Sequence, residues 1–132
     1  MTTEAAIKRE MVKSMHEGGG YGRRVEDQYA VGTYDTILIP KGLPVFLAEV
    51  KIIKGDIFGP SPRQMVELQR VASVAMEAGH VYPTMIGWKD GTYYFSAPKM
   101  KILRQDCFSV TTSTVEFYKQ LTLYYYSIRG ST

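Results

Sequence analysis

Asp35, Glu49 and Lys51 have the side chains and the spacing needed for metal-dependent chemistry. Glu49 and Lys51 are two residues apart, so in a strand they lie on the same face. The residues around them are mostly aliphatic, so an acid–x–lysine pair interrupts an otherwise apolar segment. Two carboxylates held close together repel each other, and a divalent cation that takes oxygen ligands relieves the repulsion. The first hypothesis is therefore a site for Mg²⁺, with Mn²⁺ as a substitute, formed by Asp35 and Glu49 beside Lys51.

The strands that must position these residues are predicted from composition. Two segments rich in β-branched and aliphatic residues are joined by the turn-forming stretch 40–44. In a regular antiparallel hairpin with this turn, Ile39 faces Val45. Stepping back along the ladder puts Asp35 opposite Glu49, where Cβ atoms are about 4.5–5.5 Å apart.

The whole chain predicts an α/β (α+β) fold in which helices flank a mixed central sheet, within a single domain at 1–132. The core is expected at about 3–97 and a C-terminal helix at about 115–128. Lys89-Asp90-Gly91 predicts a hairpin turn. The predicted elements are helix 3–16, strands 21–31, 33–39 and 45–53, a loop at 54–60, helix 61–78, strands 81–88 and 92–97, and helix 115–128.

Capping residues indicate where the helices begin. Thr3 is expected to cap the first helix. Ser61 and Gln64 have the spacing of a capping box for the second helix, and Ser113 and Glu116 have it for the third.

Glu4 is a further candidate because it interrupts an apolar stripe. At about 100° per residue, Glu4 falls on one stripe with Ile7, Met11 and Met15, whereas Glu10 falls to the side. A carboxylate on an apolar face needs a partner, and a metal-bound water near the strand carboxylates would be one. The alternative is that Glu4 only stabilises the positive end of its helix dipole.

The order of these residues resembles a nuclease superfamily. Asp35 followed by Glu49-Val50-Lys51 on the next strand is similar to the motif of the PD-(D/E)XK nucleases. More narrowly, the segment from about Glu4 to Ala97 resembles the virus-type replication-repair nuclease (VRR-Nuc) branch and the related archaeal-type Holliday junction resolvases. The chain departs from the family pattern at Tyr34, where proline is usual.

The resemblance implies metal-dependent hydrolysis of DNA. The two strand carboxylates and the backbone carbonyl of Val50 would hold one or two Mg²⁺ ions, and Lys51 would steady the attacking water or the negative charge of the transition state. The family also carries an acidic residue on its first helix and a glutamine on the helix after the lysine strand. Glu4 and Gln64 match these places, Glu4 as a direct or water-mediated metal ligand. Gln64 is equally well explained by the capping box, and both interpretations stay open.

Basic residues near the predicted site favour a nucleic-acid substrate. The net charge of +3 is compatible with a polyanionic partner. The loop at 54–60 follows the lysine strand, where a mobile element could close over a phosphate backbone. Phosphate contacts give affinity with little sequence specificity, so we expect a structure-selective endonuclease acting on branched or duplex DNA in replication, repair or recombination. The predicted DNA-binding residues are Arg23, Arg24, Lys54, Arg63 and Arg70.

Two other classes of protein remain open. One is a nuclease-like domain retained only for binding nucleic acid, and the other is a non-enzymatic assembly protein. Small members of the resembled family act as homodimers, which is the oligomer we expect. The last helix supplies aromatic surface either for an interface or for closing the core. Its residues of this kind are Phe117, Tyr118, Leu121, Tyr124, Tyr125 and Ile128.

Composition indicates a globular protein of the cytoplasm. Hydrophobic residues make up 45% of the chain and charged residues 22%, and no apolar run is long enough to cross a bilayer. The single cysteine, Cys107, cannot form an internal disulfide, which suits a reducing compartment. We therefore expect no membrane partner and a cytoplasmic location, in the host cell if the protein is phage-encoded.

Overall fold

The computed structural model describes residues 2–25, 34–78, 81–111 and 114–130. The helices in these residues are α1 (Glu4–Glu17), α2 (Pro62–Ala78) and α3 (Phe117–Gly130). The strands are β1 (Tyr21–Arg24), β2 (Thr36–Ile39), β3 (Val45–Ile52), β4 (Ile57–Phe58), β5 (Val81–Lys89), β6 (Thr92–Ser96), β7 (Ile102–Leu103) and β8 (Phe108–Ser109). A 3₁₀ turn (Arg104–Asp106) separates the last two strands.

The central sheet is mixed, as predicted. Its six strands follow the order β1-β2-β3-β5-β6-β8, in which β3 and β5 run parallel and the other neighbours run antiparallel. Strands β4 and β7 form a separate antiparallel pair. Strand β3 therefore lies inside the sheet, where its residues are shielded from solvent on both edges.

The register of β2 against β3 is the one predicted from the hairpin. It pairs Thr36 with Ala48, Ile37 with Leu47 and Leu38 with Phe46. The next pair in this register is Asp35 with Glu49. Regular pairing ends just before it, because the Asp35 N–H donates to the carbonyl of Ala48 at 3.1 Å.

The two faces of the sheet bury different clusters. Helices α1 and α3 cover one face, where Ala48 and Val50 of β3 pack against Met11 and Leu121. Helix α2 covers the other face, where Leu68 packs in a second cluster with residues from β4, β5 and β7. Since side chains alternate along a strand, Glu49 points towards the face that α2 covers.

The predicted starts of α1 and α2 and the β5–β6 turn are confirmed. Thr3 Oγ1 accepts a hydrogen bond at the start of α1. Ser61 and Gln64 exchange bonds in both directions at the start of α2. Asp90 and Gly91 adopt positive φ angles of 50° and 87°, as a two-residue hairpin turn requires.

Other predicted boundaries were wrong. The segment 54–60 is not a continuous loop, because β4 pairs with β7 there, and neither β7 nor β8 was predicted. Helix α3 begins at Phe117, so Glu116 lies just before the helix and not at the third position of a capping box. Ser113, the other half of that box, lies outside the described residues, as do 26–33 of the first two predicted strands.

The last helix mainly closes the core. Phe117, Leu121, Tyr124 and Tyr125 are buried against the sheet, and Tyr118 and Ile128 are half-buried beside them. This confirms the core interpretation for the predicted aromatic surface. No helix in the described ranges is long and apolar enough to span a membrane.

Candidate active site

Glu49 is the centre of the candidate site. Its side chain is fully buried in the middle of β3. Oε2 accepts a hydrogen bond from Gln64 Nε2 at 2.9 Å, whereas Oε1 is buried without a hydrogen-bond partner. A buried carboxylate with an unsatisfied oxygen is costly unless a cation or a proton compensates it.

The electrostatics of the site oppose ionisation of this carboxyl. Burial first, and the charge of Asp35 second, raise the pKa of Glu49 from 4.5 to about 8. Lys51 and Lys8 act in the opposite direction, and Glu4 adds the smallest rise. The structure thus brings four charged side chains close enough to Glu49 to change its affinity for a proton. A divalent cation at the same place would favour the ionised form strongly.

Gln64 forms the predicted capping box and also contacts Glu49, while its catalytic role stays a prediction. The side-chain Oε1 of Gln64 accepts a hydrogen bond from the backbone N–H of Ser61 at 2.9 Å, and the backbone N–H of Gln64 donates to Ser61 Oγ at 3.2 Å, which completes the capping box. The other end of the same amide donates to Glu49. The cap fixes the rotamer of Gln64, so the start of α2 holds one carboxylate oxygen of Glu49 in place.

Lys8 is a site residue that the sequence analysis missed. Its Nζ lies 2.7 Å from Asp35 Oδ2, and the two side chains are only 15% and 22% exposed. Oδ1 of the same aspartate accepts a hydrogen bond from Thr36 Oγ1 at 3.0 Å. The signal was available in part, because Lys8 follows Glu4 by one helical turn and so lies above it on the helix surface.

The position of Glu4 agrees with the predicted stripe. Ile7, Met11 and Met15 are buried, and Glu4 is half-buried one turn earlier. Glu10 is exposed, as expected for a residue off the stripe. The described residues contain no group of three or more His, Cys, Asp or Glu side chains arranged to hold a metal ion, so a ligand role for Glu4 stays a prediction.

The residues present nevertheless fit a hard cation held by two carboxylates. The unsatisfied oxygen of Glu49 and the adjacent carboxylate of Asp35 are the donors that Mg²⁺ takes, often with a substrate phosphate and water completing the shell. The carbonyl of Ala48 points towards β2, where it accepts from Asp35. Carbonyls two residues apart point the same way, so that of Val50 is directed past the last paired residue of β2.

The predicted DNA-binding residues mostly lie on the surface. Arg23, Lys54, Arg63 and Arg70 are exposed and Arg24 is half-buried. Arg70 forms a surface ion pair with Glu67 at 3.2 Å. Their contact with DNA stays a prediction.

Side-chain contacts hold the segment that follows Lys51 in place. Arg104 donates to Asp56 Oδ1 at 2.8 Å, and this hydrogen bond and the guanidinium charge hold the pKa of Asp56 below its usual value. Lys89 Nζ donates to the carbonyl of Gly55 at 3.1 Å. These contacts, together with the β4–β7 pairing, tie down the segment that the sequence suggested as a mobile element.

Cys107 has the properties of a structural residue. It is half-buried, and burial raises the pKa of its thiol to about 11. Its Sγ donates to the carbonyl of Leu103 at 3.4 Å. A thiol with a raised pKa is a poor nucleophile at neutral pH.

Comparison with solved structures identifies the fold. No protein-family model and no curated protein matches the chain. Among solved structures it is similar to Hjc, a Holliday junction resolvase of the archaeal hyperthermophile Archaeoglobus fulgidus, with a TM-score of 0.59 and 14% sequence identity over 83% of this chain and 93% of that one. The chain therefore has the restriction-endonuclease-like fold of that resolvase, built in its described residues from a mixed six-stranded sheet and three helices.

Proposed function

We propose that this protein is a metal-dependent endonuclease that hydrolyses phosphodiester bonds in branched or duplex DNA. The observation that carries the proposal is the fully buried Glu49, which has one unsatisfied oxygen beside Asp35. Asp35 just before β2, with Glu49 and Lys51 on β3, supplies the two acids and the lysine suited to metal-dependent phosphodiester hydrolysis. The similarity of the fold to a Holliday junction resolvase supports the same conclusion.

Asp35, Glu49 and the backbone carbonyl of Val50 are the proposed Mg²⁺ ligands, with Glu4 reaching the ion directly or through water. Bound Mg²⁺ would supply Lewis-acid polarisation of the phosphate and a water of lowered pKa. Mn²⁺ would serve as a substitute, because it accepts the same oxygen ligands.

The protein's own side chains would then position the reactants. The ammonium of Lys51 would stabilise the negative charge that develops on the phosphate. Gln64 would hold Glu49 in the orientation that its hydrogen bond fixes. Burial of Glu49 would strengthen each of these interactions, since charges interact more strongly where water is excluded.

Substrate choice follows from the basic surface. Arg23, Lys54, Arg63 and Arg70 are exposed cations suited to phosphate contacts, and Arg24 lies beside Arg23 on β1. Such contacts follow the backbone and not the bases, so the proposed substrate is a DNA structure and not a sequence. A homodimer would place two sites on two strands of a junction. The proposed site of action is the cytoplasm.

A second candidate is a nuclease-like module that binds nucleic acid without cutting it. The ion pair between Lys8 and Asp35 favours this candidate, because it engages one of the proposed ligands.

Cleavage of a substrate panel separates the two candidates. We expect the wild type to cut at least one of a labelled four-way junction, flap, nicked duplex and plain duplex in Mg²⁺ and none in EDTA. Asp35→Asn should abolish cleavage, whereas Glu10→Gln, at an exposed position of α1, should not. Binding without cleavage would support the second candidate. Cleavage that persists in EDTA, or in Asp35→Asn, would refute the proposed site.

A further inference from the structure

Lys8 occupies the position on Asp35 where a cation would bind. The 2.7 Å contact joins its ammonium to Oδ2, and Thr36 satisfies the other carboxylate oxygen. Lys8 is mostly buried for a lysine, with 15% of its side chain exposed. Lysine rarely gives up this much hydration without a specific anionic partner.

The charge of Lys8 also reaches the second carboxyl of the site. It lowers the pKa of Glu49, against the larger effects of burial and of Asp35. Lys51 acts on Glu49 in the same direction. The site therefore contains two ammonium groups, of which Lys8 is the one in direct contact with a proposed metal ligand.

Helix packing holds Lys8 in this place. It follows Ile7, which is 3% exposed in the core between α1 and the sheet, and it lies one turn from Glu4. Helix α1 contacts β1, β2 and β3, so its orientation relative to Asp35 is set by the core and not by the ion pair. The packing of α1 against the sheet therefore places Lys8 next to Asp35.

We propose that Lys8 is the resident counter-ion of the acid site, which a divalent cation must displace from Asp35. This inference rests on the proposed metal-dependent function. Two cations cannot share the same carboxylate oxygen without repulsion at close range. Lys8 therefore stabilises the metal-free protein and weakens its affinity for metal, and both effects come from one exchange of cations.

Mn²⁺ titration by calorimetry, without DNA, tests this exchange. Lys8→Met should bind Mn²⁺ at least about tenfold more tightly than the wild type, equivalent to about 1.4 kcal/mol. Lys13→Met is the matched control, because Lys13 is an exposed lysine on the same helix, and it should leave the affinity within about twofold. Lys51→Met removes a nearby charge that is not in contact with Asp35 and should tighten binding less than Lys8→Met does.

Thermal unfolding gives a second, independent readout. In EDTA, Lys8→Met should melt below the wild type, and saturating Mn²⁺ should remove or reverse that difference, as linkage requires. Lys8→Gln, which keeps a polar group, should show the same pattern and serves if the methionine variant does not fold. Equal Mn²⁺ affinity of wild type and Lys8→Met, or a melting difference that persists in Mn²⁺, would overturn the counter-ion role alone. Absence of Mn²⁺ binding by the wild type would overturn the proposed function together with it.

Discussion

The metal-free protein should become less stable as the pH rises, because Glu49 ionises in a buried place. The variant Glu49→Gln should not show this loss of stability. Burial and Asp35 raise the pKa of Glu49 to about 8, above its unfolded value of 4.5. Below about pH 4.5 the carboxyl is protonated in both states, so it has no effect. Between about 4.5 and 8 the unfolded chain ionises first and binds fewer protons than the folded protein. The folded state therefore becomes less stable with rising pH across this window, and the full loss is present above about pH 8.

The size of this effect follows from the same shift. Each tenfold change in proton affinity corresponds to about 1.4 kcal/mol, so a rise from 4.5 to about 8 costs on the order of 5 kcal/mol once the buried carboxyl is ionised. For a domain of this length, that amounts to a fall in melting temperature of roughly 10 °C or more. Glutamine cannot ionise, and its carbonyl still accepts the hydrogen bond from Gln64.

The assay is thermal unfolding of the wild type and Glu49→Gln in EDTA at about pH 5 and about pH 9. The comparison between the two proteins cancels the pH response of all other groups. We expect similar melting temperatures at the lower pH and a clearly more stable variant at the higher pH. A difference between the two proteins that does not change with pH would refute the reasoning, because Glu49 would then ionise without cost.

The remaining predictions concern activity, local stability and DNA binding. Glu4→Gln should lower the single-turnover cleavage rate by at least about tenfold, which is about 1.4 kcal/mol of transition-state stabilisation. Glu10→Gln should change the rate by less than about twofold. A larger loss for Glu10→Gln than for Glu4→Gln would show that the wrong face of α1 was assigned to the site. Gln64→Ala should destabilise the protein by about 1–2 kcal/mol more than Ser61→Ala in denaturant unfolding near pH 7, since it loses the bond to Glu49 as well as the cap; equal losses would leave Gln64 as a cap alone. DNA binding measured by fluorescence anisotropy should weaken steeply between roughly 50 and 200 mM salt, and a flat response would argue against phosphate contacts.

The pairing of Asp35 with Glu49 was predictable because its causes are local. Two runs of β-branched and aliphatic residues flank a turn of defined length, and a hairpin joined in this way has one register that keeps both apolar faces buried. The structure confirms this register as far as Thr36 with Ala48, one residue before the predicted pair. The Ser61–Gln64 capping box is local in the same sense, since its residues lie within one turn of helix.

The features that escaped prediction depend on contacts between distant parts of the chain. The ion pair of Lys8 with Asp35 requires α1 to pack across β2, and the spacing of Lys8 from Glu4 indicates only its place on the helix surface and not its partner. Strand β4 exists because Ile57 pairs with Leu103, and two-residue strands carry no alternation that could be recognised beforehand. For α3, a local capping pattern at Glu116 suggested an earlier start than the one in which Phe117 opens the helix.

The start of α3 is the clearest case of tertiary packing prevailing over a local signal. Phe117 is buried against the aromatic rings of Tyr93 and Phe95, at centroid distances of 4.7 and 5.9 Å. Gln120 donates to the carbonyl of Val115 at 2.8 Å, which satisfies a backbone group just before the helix. Aromatic packing of this kind outweighs the fraction of a kcal/mol that separates alternative helix starts.

An anomalous difference map from a crystal of the wild type grown with Mn²⁺ tests the central claim most directly, namely that the unsatisfied oxygen of Glu49 is a cation ligand. We expect a peak within coordination distance of Glu49 Oε1 and of a carboxylate oxygen of Asp35, with the Lys8 ammonium moved off Asp35. A map without a peak at these two residues, or with Mn²⁺ bound elsewhere and the Lys8–Asp35 pair intact, would contradict it.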